Sequence, residues 1–148
     1  MIHIHNEHMY ACDQDMLRRA AAAALQHQTA ADDAEPSLAL VDDETIQAAN
    51  RDFRGIDTHT DVLSFQSGAI DPDSGAPYLG NLMVSYPTAA AQAAQAGHST
   101  DAELALLLVH GILHLLGHDH GDPDEKAAMW AAQSAILAEL GIQAQPTE

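Results

Sequence analysis

The eleven residues HGILHLLGHDH, running from His110 to His120, set four histidines and one aspartate into a segment otherwise made of leucine, isoleucine and glycine. At about 100° per residue, His110 and His114 project from the same helix face one turn apart, so the backbone alone aligns two imidazoles. His120 can join them only if the helix stops and the chain turns back. Gly117 stands where a left-handed residue would end the helix and do this. The pattern HxxxHxxGxxH therefore predicts three imidazoles converging on one cation, with a fourth position open to water, and zinc is the cation expected. A lone histidine on an apolar helix is more often a hydrogen-bonded core residue, but three buried imidazoles in one place call for a cation. His118 is expected to point away as a turn residue. Asp119 either orients a ligand imidazole or closes the turn.

The same spacing occurs in zinc proteases of the metzincin type, HExxHxxGxxH, where the glutamate after the first histidine is the general base. Here that position is Gly111. Peptide hydrolysis is then the weaker enzymatic reading, although zinc still brings the pKa of a bound water to about 7. Cys12 is the single cysteine, so no internal disulfide or thiolate metal site can form, and imidazole and carboxylate remain as ligands.

The helix that must carry His110 and His114 opens at Thr100, with Glu103 completing a capping box, and is apolar at almost every position to Leu116. It is expected to be buried. Upstream, MIHIH, SLALVDD, VLSFQS and YLGNLMVSY read as strands, while DQDMLRRAAAAALQHQ, ETIQAANRDF and PTAAAQAAQAG read as helices. The stretch GAIDPDSGAP is a surface loop by its Gly, Pro and Asp content. A last helix starts at Asp122 and Pro123 and runs to Gly141, with Met129, Trp130, Ile136, Leu137 and Leu140 as core, and the tail IQAQPTE frays. The fold expected over residues 1–148 is a single α+β domain: about four strands in a mixed sheet, about five helices, and a zincin-like metal helix.

The chain has 148 residues with five basic and 22 acidic ones, a formal net charge of −17. A polyanion should be repelled except where a cation or a few arginines reverse the field locally. The opening MIHIHNEHMYACDQD has no positive start followed by an apolar run, and LALLLVHGILHLLG is too short and too rich in histidine to span a bilayer. A cytoplasmic protein without membrane contact is expected.

HGILHLLGHDH closely resembles the signature HGxLHLLGYDH of the YbeY endoribonuclease family, also known as UPF0054, the bacterial rRNA maturation factors. NRDFR (Asn50 to Arg54), TDVLSF (Thr60 to Phe65), LGN (Leu79 to Asn81) and the spacing between them are similar to that family's pattern. The resemblance covers most of the chain. It implies one zinc ion held by His110, His114 and His120, with Arg54 and His114 in catalysis. The implied activity is metal-dependent cleavage of single-stranded RNA in 16S rRNA 3′-end maturation, late small-subunit assembly and ribosome quality control. Single-stranded rRNA, the small ribosomal subunit and ribosomal or assembly proteins are the implied partners; DNA and membranes are not. His118 stands where tyrosine is common, and Asn81 where aspartate usually follows the glycine.

From the residues alone, Arg54 is either a phosphate-binding guanidinium or half of a surface salt bridge. Asp61 is a second-shell residue, a base or a strand-start residue. His3, His5 and His8 read as the wet side of a strand, and His27, His59 and His98 carry no signal. A non-catalytic, zinc-stabilised assembly factor is the alternative from another functional class.

Overall fold

The computed structural model describes residues 2–28, 35–66, 78–118 and 121–142; the GAIDPDSGAP loop, Asp119, His120 and the tail after Ile142 lie outside them. The alternating and β-rich segments form strands β1 (His3–His5), β2 (Glu35–Val41), β3 (Val62–Gln66) and β4 (Tyr78–Ser85). Between and after them run helices α1 (Gln14–His27), α2 (Asp43–Arg54), α3 (Tyr86–Ala96), α4 (Thr100–Leu115) and α5 (Pro123–Glu139). Each helix opens on an aspartate or serine whose side chain accepts the N–H three residues on: Asp13, Asp42, Ser85, Ser99 and Asp122. Such caps contribute about 1 kcal/mol each.

The strands form one mixed sheet in the order β1-β2-β4-β3. β1 and β4 flank β2 in parallel, and β3 runs antiparallel to β4 as an edge strand. This is the α+β architecture that the succession of elements predicts. Helix α4 is its centre, packed against α1, α3, α5, β3 and β4. Leu104, Leu108, Ile112 and Leu113 on it are almost wholly buried, each contributing roughly 1.5–3 kcal/mol by burial.

Two glycines let α4 and the edge hairpin approach closely. A Cβ on Gly111 would lie 2.6 Å from Leu82 Cδ2 on β4. At Gly80, with φ of +149°, a Cβ would collide with the Phe65 carbonyl oxygen and lie 2.8 Å from Leu115 Cδ2. Strand periodicity then sorts the faces. Ser64 and Gln66 of β3 reach carbonyls of α4, whereas Phe65 lies on the opposite face and packs edge-on against Phe53 of α2, ring centroids 5.4 Å apart.

One sequence expectation needs correction. The cap of α4 is Ser99, not Thr100, and Glu103 closes no capping box. Its side chain is buried and bonds His98 Nε2 through Oε1 at 2.6 Å. His98, which carried no signal in the sequence, therefore has a structural role.

Candidate functional site

The end of α4 is set by local chemistry. Gly117 takes a positive φ of 101°, its N–H reaches the His114 carbonyl at 3.0 Å, and the His118 N–H reaches Leu113 O at 2.9 Å. This pair of bonds is the Schellman stop expected from the glycine. The last turn of the helix consequently carries His114 with His110 one turn behind it, their ring centroids 4.8 Å apart and their planes at 78°. His118 bonds Gln28 at the end of α1 instead. Among the described residues no cluster of three ligating side chains forms; the third histidine of the motif, His120, and its neighbour Asp119 lie outside them.

A cleft of about 560 Å³ runs between the edge strand β3 and α4. His110 and His114 line it together with Arg54, Asp61, Ser64 and Gln66. The fold thus brings the guanidinium from the last residue of α2 to the two imidazoles of α4. Gly55, in the left-handed conformation with φ of +73°, ends α2 directly after Arg54. Arg54 is exposed and makes no ion pair with another described residue, so the surface salt bridge does not form among them. Its neighbour Arg51 does pair, with Asp52 at 3.2 Å.

Of its candidate roles, Asp61 takes that of the strand start. Its Oδ1 accepts the Val62 N–H at 2.8 Å and opens β3, while Oδ2 accepts from Gln92 Nε2 at 3.4 Å. The carboxylate also stands on the cleft wall. Behind it, burial pushes the Glu103 carboxyl above its ordinary range; the hydrogen bond and charge of His98 oppose this, and the Asp61 charge adds to it.

Two contributors from α5 escaped the sequence reading. His110 Nδ1 lies 2.9 Å from Gln133 Oε1. An amide oxygen only accepts, so in this pair Nδ1 carries the proton, which is the tautomer that ligates a metal through Nε2. Gln133 is 2% exposed among the apolar side chains Met129, Ala132 and Ile136, and a glutamine on that buried stripe was the available signal. Trp130 packs edge-on to His110, ring centroids 5.5 Å apart, and against the core. Lys126 Nζ sits 5.6 Å from the centre of the Trp130 ring. Of the chain's five basic residues, Arg54 alone lines the cleft among the described residues.

Asn81 is not in the cleft. It lines a separate pocket of about 420 Å³ with His5, Glu7 and His8, and His8 is 3.9 Å from Asp42. His3 bonds Glu35 at 3.2 Å.

The comparisons extend this picture along the whole chain. A family model described as Endoribonuclease YbeY matches residues 2–141. The Endoribonuclease YbeY of Moorella thermoacetica is 46% identical over 134 residues, 86% of each chain, and that of Geobacillus kaustophilus is 44% identical over 138 residues, also 86% of each. The solution structure of TM1509 from Thermotoga maritima superposes with a TM-score of 0.64 at 24% identity, over 100% of this chain and 99% of that one, which bears on the fold alone. With the matched region embracing α2, β3 and α4, the elements that build the cleft, the chain belongs to the YbeY endoribonuclease family.

Proposed function

We propose that this protein is a zinc-dependent endoribonuclease that cuts single-stranded RNA in the cytoplasm. The 3′ end of 16S rRNA is its proposed substrate, during late small-subunit assembly and ribosome quality control, and the small subunit with its ribosomal or assembly proteins presents it. The observation that carries this reading is the meeting of Arg54 with His110 and His114 in one cleft, in a member of a family whose relatives are named endoribonucleases.

The residues fit a zinc ion. Two imidazoles stand one turn apart, one of them with its Nδ1 proton fixed by buried Gln133, and His120 is the proposed third ligand. A bound zinc supplies a Lewis acid and lowers the pKa of a coordinated water to about 7. The chain's own groups do the rest. The Arg54 guanidinium donates to two phosphate oxygens at once and favours the extra negative charge of a pentacoordinate phosphorus. Asp61 is the carboxylate among the described lining residues that can take a proton. Gly111 speaks against peptide hydrolysis through a zincin-type base, because the space for a side chain there is taken by Leu82.

The test is cleavage of a single-stranded 16S rRNA 3′-end fragment by zinc-loaded protein and by Arg54→Ala, matched for zinc content and melting temperature. Removing one preformed donor to the developing charge should slow cleavage by about 10²–10³-fold. Equal rates would sink the catalytic role of Arg54. Absence of cleavage by either protein, with small subunits supplied, would favour the non-catalytic assembly factor.

A further inference from the structure

Among the described residues, three large apolar side chains are strongly exposed, and two of them, Phe53 at 75% and Ile56 at 43%, flank Arg54. The chain has only two phenylalanines, and both are at this place, Phe53 resting edge-on against Phe65 at an interplanar angle of 64°. A T-shaped contact covers at most one face of the exposed ring, and 75% of Phe53 stays open to solvent. Core packing does not account for it, since Phe53 is absent from the buried cluster. Each member of the pair is instead joined through the backbone to cleft-lining residues: Phe53 precedes Arg54, and Phe65 sits between Ser64 and Gln66. The aromatic step therefore lies across the edge strand from the cleft, about one strand width away.

We infer that Phe53 is a stacking platform for an unpaired base of single-stranded RNA, next to the nucleotide whose phosphate is held at Arg54. This deepens the RNA reading above and rests on it. Charge complementarity identifies the occupant: in a chain of net charge −17, the exposed ring directly precedes Arg54, which lines the cleft and has no ion pair among the described residues while Arg51 is paired with Asp52, so a phosphate meets the Arg54 guanidinium where the adjoining base meets the ring. A bare π-face accepts any base, giving preference for unpaired over paired RNA without sequence readout. A base in a duplex is already stacked on both sides and cannot lie on it.

The experiment uses the full zinc-loaded chain and a single-stranded oligoribonucleotide carrying 2-aminopurine, whose fluorescence is quenched on stacking. Wild type is compared with Phe53→Ala, Phe53→Leu and Phe53→Trp, each checked for unchanged melting temperature. The expected result is quenching by wild type and Phe53→Trp only, with KM about tenfold higher for the alanine and leucine variants and kcat changed less. An oligonucleotide lacking the base at the stacked position should abolish the difference among variants. Restoration by leucine equal to that by tryptophan would overturn the proposal in favour of plain apolar contact. So would a defect seen on ribosomal subunits but not on free RNA, which would assign the ring to a protein partner. Quenching is read by binding and cleavage separately, so an RNA enzyme that lacks the platform, and a platform on a protein that does not cut RNA, give different results.

Discussion

Gln133 shows how a single residue outside the recognised motif conditions the site. Its carbonyl fixes which nitrogen of His110 carries hydrogen, and such outer partners typically contribute 10- to 100-fold to metal affinity. Gln133→Leu should weaken zinc binding by about that factor, measured by competition with a chromogenic chelator, while the buried methyl groups keep the helix packed; unchanged affinity would remove Gln133 from the site. Glu103 makes a second residue-scale prediction. Its carboxyl is buried, one oxygen bonds His98, and Oε2 has no hydrogen-bond partner among the described residues. Its pKa is raised in the fold, so the protonated form is favoured. The stabilisation is full below the ordinary carboxylate range and is lost as pH rises through the raised folded value. Glu103→Gln should remove this dependence, so urea midpoints of the variant gain on wild type from acidic to neutral pH. Parallel curves would show that folding leaves the Glu103 carboxyl unshifted.

Between α4 and the β3–β4 hairpin, the scale of the element decides how wide the cleft is. Gly80 opposes Gln66 in the antiparallel ladder, and a Cβ there would strike the Phe65 backbone as well as Leu115. Backbone cannot step aside. Gly80→Ala should therefore cost about 3 kcal/mol from overpacking and the positive φ together, lowering the melting temperature by roughly 10 °C. Gly111→Ala is expected to be milder: its nearest contact is the flexible end of Leu82, and alanine gains about 1 kcal/mol of helix propensity over glycine. A thermal melt of both variants checks the order, and the reverse order would mean that β3 is not held by close approach at Gly80.

At the scale of the molecule, the acidic surface and the Arg54 guanidinium oppose each other. Five basic residues against 22 acidic ones repel RNA at long range, while Arg54 lines the cleft. Single-stranded RNA releases about 0.7 counterion per neutralised phosphate, so with Arg54 as the basic residue of the cleft the slope of log affinity against log salt should be shallow, about 1 in magnitude. A slope on the order of 5 or more would require a basic track elsewhere on the surface. Filter binding over a salt series measures it directly. Among the described residues no helix is long and apolar enough to cross a membrane.

What the sequence determined by itself is whatever depends on neighbours along the chain. The helical repeat alone put His110 and His114 on one face; Gly117 alone stopped the helix; Asp122 and Pro123 marked the start of the last helix because capping needs only residues three apart. Even there the start of α4 falls one residue from the expected cap: Ser99, a somewhat better cap than Thr100, opens the helix, while Glu103 bonds His98 instead of closing a capping box. Only the tertiary structure decided that the end of α2 and the end of α4 open on one cleft, so that Arg54 and the two histidines line it together, that Gln133 of α5 faces His110, and that Asn81 lines a different pocket. These are contacts between elements far apart in the chain. Their register is set by how the sheet twists and how closely glycine lets helix and strand approach, and no periodicity within one segment encodes that.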